Sequence, residues 1–113
     1  MEQSEHTVEQ FSVLDLRVGT ILSAEPFPEA RKPAYRLLID FGPLGVKRSS
    51  AQITERYAAD ELAGRRIVAA VNLPAKRIAG FKSECLVLGV PMEGSGVVLL
   101  RPDDDSPDGS RIV

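Results

Sequence analysis

Between Val71 and Leu86 the chain reads VNLPAKRIAGFKSECL, so that Lys76, Arg77 and Lys82 stand close to Asn72, Ser83 and Phe81. Ammonium and guanidinium groups neutralise phosphate oxygens, amides and hydroxyls bond sugar hydroxyls or base edges, and an aromatic ring offers a stacking surface. The chemistry on offer is recognition of a polyanion. The formal net charge of the whole chain, -2, argues against this until it is divided. Residues 1–30 carry six carboxylates against Arg17, a balance of -5; residues 31–82 carry eleven cations against four acids, +7; residues 83–113 carry six acids against two arginines, -4. A basic middle flanked by acidic ends can set up a local positive field despite a negative total.

Four groups of residues would have to converge for that field to become a site. They are Arg31 and Lys32 with Tyr35 and Arg36; Lys47, Arg48, Ser49 and Ser50 with Gln52; Arg65 and Arg66 with Asn72; and Lys76, Arg77, Lys82 and Ser83. RNA suits them better than duplex DNA, because no helix rich in Arg and Asn is available to enter a major groove. Aromatic residues beside the cations are few, Tyr35 and Phe81, which favours reading by shape and phosphate over sequence reading of single strands.

Other chemistries find little support. His6 and Cys85 are the only histidine and the only cysteine, too few for a zinc site, a disulfide framework or a nucleophile–base pair. Cys85 lies in the apolar run Cys85 to Val90 and reads as a small buried hydrophobe. Asp103, Asp104 and Asp105 could in principle hold Mg²⁺, but adjacent carboxylates in an acidic tail are normally solvated. Gly42-Pro-Leu-Gly45 lacks the spacing and the Lys-Ser/Thr end of a P-loop. No apolar run approaches the roughly 20 residues of a membrane span, and the acidic start is unlike a secretory signal, so the expected location is cytoplasmic. No cofactor is expected.

The elements that must carry the cations follow from local pattern. Thr7 and Gln10 fit a capping box opening a helix over about Val8 to Ser12. Alternation predicts strands from Leu14 to about Ala24, with Gly19 a candidate bulge or bend, from Tyr35 to Phe41, and from Val46 to Ile53. On this third strand Arg48, Ser50 and Gln52 share one face, and Ser49, Ala51 and Ile53 the other. Thr54 is placed to cap a short helix from Glu55 to Ala63, closed by Gly64. Arg66 to Leu73, Glu84 to Val90 and Val97 to Arg101 complete the strands, the segment between Leu73 and Glu84 reads as a loop, and Asp103 to Gly109 as an exposed turn or tail. Residues 1–113 form one domain by length. The order suits an all-β OB-type barrel, five-stranded, with short helices at the N-terminus and between strands three and four. An SH3-like or other small barrel fits the same strand count.

Several blocks together resemble a known family. Leu14-Asp-Leu-Arg-Val-Gly-Thr-Ile21, Pro33-Ala-Tyr-Arg36, Ile39-Asp-Phe-Gly-Pro-Leu-Gly45, Lys47-Arg-Ser-Ser-Ala-Gln-Ile-Thr54, and Val71-Asn-Leu-Pro-Ala-Lys76 with Ser83-Glu-Cys-Leu86 are similar to the CsaA-type, export-related chaperone-like family. That family belongs to the wider group of tRNA-binding domains also appended to some aminoacyl-tRNA synthetases. The resemblance covers about Phe11 to Leu100. It implies an OB fold, a homodimer without catalysis, binding of the tRNA body by shape, and a second activity on unfolded or exported polypeptides. Carried onto this chain, the implied RNA surface is Lys32, Arg36, Arg48, Ser50, Gln52, Asn72, Lys76, Arg77, Lys82 and Ser83. Leu86 stands where the wider group usually has Met, and Arg77 where its loop Lys falls. A polypeptide-binding chaperone is the alternative, and its apolar groove would draw on Phe27, Leu44, Ile78 and Phe81, all placed in loops by the pattern.

Overall fold

The structure, a computed structural model, describes residues 4–113. The chain opens with the capped turn expected. Gln10 N donates to Thr7 Oγ1 at 3.1 Å and Thr7 N donates to Gln10 Oε1 at 2.7 Å, fixing α1 over Val8–Phe11. Phe11 does not become the buried contact that its apolar character suggests; Val8, Phe11, Val13 and Leu14 all remain exposed.

The barrel is organised by β1, Leu16–Pro26. Its first half pairs antiparallel with β4 (Arg66–Ala70), Leu16 opposite Ala70, and its second half with β2 (Tyr35–Asp40), Pro26 opposite Tyr35. One strand serves two neighbours because the ladder shifts between Ile21 and Ser23, so that the strand bends at Leu22. The bulge therefore lies three residues beyond Gly19. Gly19 instead makes room for the core. A Cβ there would sit 2.8 Å from Ile39 Cγ2 and from the Phe41 ring, so the missing side chain lets these groups close against the strand.

β3 (Val46–Ala51) pairs with β2 across the turn Gly42–Leu44, and β7 (Leu86–Val87) pairs with β4, giving the order β3-β2-β1-β4-β7. The sheet then curls until β3 meets the chain entering β7. Glu84 N donates to Arg48 O at 2.7 Å, Ser50 N to Ser83 Oγ at 3.0 Å, and the buried Ser49 hydroxyl to Cys85 O at 2.9 Å. The result is a nearly closed, five-stranded antiparallel OB-fold barrel. Inside it pack Ile21, Leu37, Ile39, Phe41, Leu62 and Ile67, each fully buried.

Three elements differ from their sequence reading. The helix expected over Glu55–Ala63 reduces to a single 3-10 turn, Ala59–Glu61, with Ala58 rather than Thr54 at its start and Ala58 N donating to Glu61 Oε1 at 2.7 Å. Tertiary bonds claim the residues before it: Tyr35 Oη donates to Tyr57 O at 2.7 Å, and Tyr57 Oη accepts from Leu99 N at 3.0 Å. A segment this short cannot offset that competition by helix propagation. The loop between Leu73 and Glu84 is a β-hairpin, β5 (Lys76–Ile78) with β6 (Phe81–Ser83), turned by Ala79 and Gly80, both at positive φ. The strand expected over Glu84–Val90 breaks at Leu88, and β8 (Gly89–Met92) forms a second hairpin with β9 (Gly96–Leu99).

Of the stretch expected to be an exposed turn or tail, Asp103, Asp104 and Asp105 are exposed, but from Asp108 on the chain docks against β1. Gly109 N donates to Val18 O at 2.8 Å, Val18 N to Ser110 O at 2.9 Å, and Ile112 N to Leu16 O at 2.8 Å, so it covers the edge of β1 that β2 is too short to reach. Asp15 receives Arg17 at 2.5 Å and lies 3.9 Å from Arg111. Asp103, Asp104 and Asp105 border a surface hollow with Arg66 and Arg101. Among the described residues, no group of three His, Cys, Asp or Glu side chains converges to hold a metal ion, and no helix is long and apolar enough to cross a membrane.

Candidate nucleic-acid interface

Folding brings part of the basic middle together. The loop after β1, the end of β3 and the hairpin strand β5 enclose an open groove of about 780 Å³, lined by Arg31, Lys32, Ser50, Gln52, Lys76 and Arg77, with Glu29 at its edge. Strand alternation presents Ser50 and Gln52 there, because Ser49, Ala51 and Ile53 point into the barrel and are buried. Among the described residues none of Arg31, Lys32, Lys76 and Arg77 pairs with a carboxylate. Their charge is therefore available to an incoming anion. Among the described residues the Arg77 side chain is tethered only by a long bond, Nη1 to Gly80 O at 3.4 Å.

The other candidates are placed differently. Arg36 lies 5.4 Å from the Phe27 ring centroid and Arg48 5.5 Å from that of Phe81, while the two rings meet edge to face at 5.4 Å. This row of two guanidinium groups and two rings seats the β5–β6 hairpin on the barrel. Glu25 stands 3.8 Å from Arg36 and Glu84 3.6 Å from Arg48. The Glu84 carboxyl is held below its ordinary range, chiefly by the Arg48 backbone amide that donates to it at 2.9 Å, against the opposing effect of burial.

Asn72 is committed to structure. Its Oδ1 accepts from Asp15 N at 2.9 Å and its Nδ2 donates to Val13 O at 2.8 Å, which fastens the segment after α1 to the end of β4. Ser83 also closes the barrel, through the bond from Ser50 N. Lys82 is exposed on β6, outside the groove. Of the third sequence group, Arg66 is held by Asp108 at 3.6 Å and by Ser106 O, and Arg65 stacks 4.8 Å over Tyr57, so neither reaches the groove.

The four residues considered for an apolar groove do not form one. Phe27 is buried, Phe81 is half-buried against it, and Leu44 lies in the β2–β3 turn, where Asp108 and Gly109 pack on its neighbours Gly42 and Pro43. Only Ile78 borders a substantial apolar concavity. That cavity, of about 430 Å³, has walls from Ile53, Leu73, Pro74, Leu86, Val87 and Val97, and it shares Ser50, Gln52, Lys76 and Ile78 with the cationic groove. Sequence reasoning missed these walls because they come from four separate segments, each ordinary by itself. A further hollow, about 490 Å³ between Lys32 and the β8–β9 turn, also includes Gln52. Cys85, on the apolar wall, has its thiol pushed up to about 11, mainly by burial.

Comparison with known proteins identifies the family of the chain. The family described as putative tRNA binding domain matches residues 16–111. The chain is 56% identical to the chaperone CsaA of Bacillus anthracis, with a TM-score of 0.91 over 97% of this chain and 100% of that one. For the CsaA chaperone protein of Picrophilus torridus the values are 51%, 0.89, 96% and 100%. It is also 38% identical, over 92% of its length, to methionine–tRNA ligase of Methanothrix thermoacetophila, of which it spans only 15%. The chain belongs to the tRNA-binding domain family and is a CsaA-type member of it.

Proposed function

We propose that the chain is a non-catalytic tRNA-binding protein that acts as one domain per subunit of a homodimer in the cytoplasm, reads the tRNA body by shape and phosphate contacts, and has chaperone-like activity in protein export. The observation that carries the RNA reading is the convergence of Arg31, Lys32, Lys76 and Arg77, unpaired among the described residues, on one groove of a chain matched over residues 16–111 by a tRNA-binding family. Lysine and arginine there bind phosphate oxygens, and Ser50 and Gln52 bond sugar hydroxyls or base edges. Dimerisation is supported by the uncovered apolar side chains of Val8, Phe11, Val13 and Leu14, which a second subunit would bury. Two basic grooves would then act on one extended RNA.

The test is binding of bulk tRNA and of duplex DNA of similar charge at several salt concentrations. Preferential tRNA binding with a steep salt dependence supports the reading; absent or unselective binding rejects it. A second reading, in which polypeptide binding is primary, is favoured by the apolar cavity and by the naming of the two similar CsaA proteins as chaperones. Its test is suppression of client aggregation in the presence of excess tRNA. Suppression that persists favours a separate polypeptide surface, and loss of suppression a shared one.

A further inference from the structure

We infer that the apolar cavity beside the cationic groove is a pocket for one unstacked nucleobase of a bound RNA, so that the surface reads an extruded nucleotide as well as phosphates. This rests on the tRNA-binding reading above and extends it to a ligand subsite. A reader of shape and phosphate alone needs cations on a convex or gently curved face. This face instead opens into a cavity of about 430 Å³, within the range of roughly 300–1,000 Å³ typical of small-molecule sites. Its floor and walls are aliphatic, and its mouth is polar.

The residues at the mouth decide the occupant. Ser50, Gln52 and Lys76 line both the cavity and the groove, so a phosphate held by Lys76 or Lys32 would leave the attached base at the opening. The side chain of Gln52 makes no hydrogen bond among the described residues, and neither does the Ser50 hydroxyl, whose backbone amide is the group bonded to Ser83. A glutamine amide offers a donor and an acceptor together, which matches the edge of a base. Pro74, Leu86 and Val97 can take the faces of the ring by apolar contact.

A polypeptide added as an extra β-strand would need a free strand edge as well as a pocket. Along Arg48–Ser50 that edge is already taken by Glu84 and Ser83. The four cations at the groove add charge complementarity for a nucleotide, opposed among the described lining residues by Glu29 at the groove and by Glu84 on the cavity wall, which Arg48 partners at 3.6 Å.

The experiment follows the methyl groups of Leu86, Val87 and Val97 by NMR during titration with a single-stranded RNA trinucleotide, with the same trinucleotide lacking its central base, and with an apolar peptide. Alongside, tRNA affinity is measured against salt for Leu86→Phe, which fills the cavity from an exposed position, and for Gln52→Leu, which keeps size and removes the amide. The base-containing RNA is expected to shift the three methyls and the abasic one to leave them. Each variant is expected to lower tRNA affinity about tenfold with its salt slope unchanged. Equal effects of the two trinucleotides, or full tRNA affinity in both variants, would overturn the pocket while leaving the tRNA reading intact. Failure of the unaltered protein to bind tRNA at any salt would remove both. Shifts produced by the peptide and not by RNA would assign the cavity to polypeptide.

Discussion

Lys76 and Lys82 are exposed lysines of one hairpin, separated by the turn at Ala79 and Gly80, and only Lys76 borders the groove. Composition treats them alike; position does not. Lys76→Ala is expected to weaken tRNA binding and to reduce the slope of log affinity against log salt by roughly 0.7–0.9, while Lys82→Ala leaves that slope within error. Titrating tRNA at several salt concentrations with each variant checks the pair. Two buried positions carry stability predictions. Gly19→Ala forces a methyl against Ile39 and Phe41 and should cost about 1–3 kcal/mol by overpacking. Ser49→Ala leaves the Cys85 carbonyl without its donor inside the barrel and should cost about 1–3 kcal/mol. Urea unfolding of each variant gives the values. At this scale the sequence showed which residue types were present and which faces of β3 they occupied. It did not show that Asn72 was already bonded to Asp15 and Val13, because those partners lie 57 and 59 positions away.

The β5–β6 hairpin and the C-terminal segment are the two elements docked onto the barrel from outside its sheet. Phe81 anchors the hairpin through Phe27 and Arg48. Phe81→Ala is therefore expected to speed amide exchange across residues 76–83 and to weaken tRNA binding without removing a cation from the groove. Exchange unchanged in that segment would show that the ring is not its anchor. The C-terminal segment also meets Asp15 through Arg111 at 3.9 Å, and the Asp15 carboxyl lies below its ordinary 3.8, first because Arg17 hydrogen-bonds to it and then through the charges of Arg17 and Arg111, with burial opposing. A carboxylate depressed in the folded state contributes stability above its unfolded value and loses it as pH falls through the folded value. The Asp15 contribution should be complete well above pH 3.8 and be lost progressively as pH falls past 3.8 and through the lower folded value, and Asp15→Asn should lower stability at neutral pH while flattening its acid limb. Thermal unfolding between about pH 7 and pH 3 measures both effects. Pattern alone missed the hairpin because three residues on either side of a turn give too short an alternation to register. It missed the docked tail because polar residues beside a strand edge look the same as polar residues in water.

For the molecule as a whole, the acidic net charge is compatible with a polyanion partner because folding separates the signs. Cations at the groove have no carboxylate partner among the described residues, whereas Asp15 and Asp108 are occupied by Arg17, Arg111 and Arg66 on the far part of β1 and its tail. The exposed apolar residues around α1 carry the corresponding assembly prediction: sedimentation should give twice the chain mass, and Val13→Asp should halve it. The sequence by itself determined the class of fold, since alternation of Leu14 to Val18, Tyr35 to Phe41 and Val46 to Ile53 requires half-buried strands, and several blocks already resembled one family. It also determined the basic middle, which is a matter of counting. Only the tertiary structure decided which cations face one groove, that an apolar cavity opens beside them, and that the helix after β3 gives way to a 3-10 turn. The reason is the same in each case. Periodicity reports how a residue faces its own strand, but a site is made by contacts between segments far apart in the chain, and those are set by how the barrel closes.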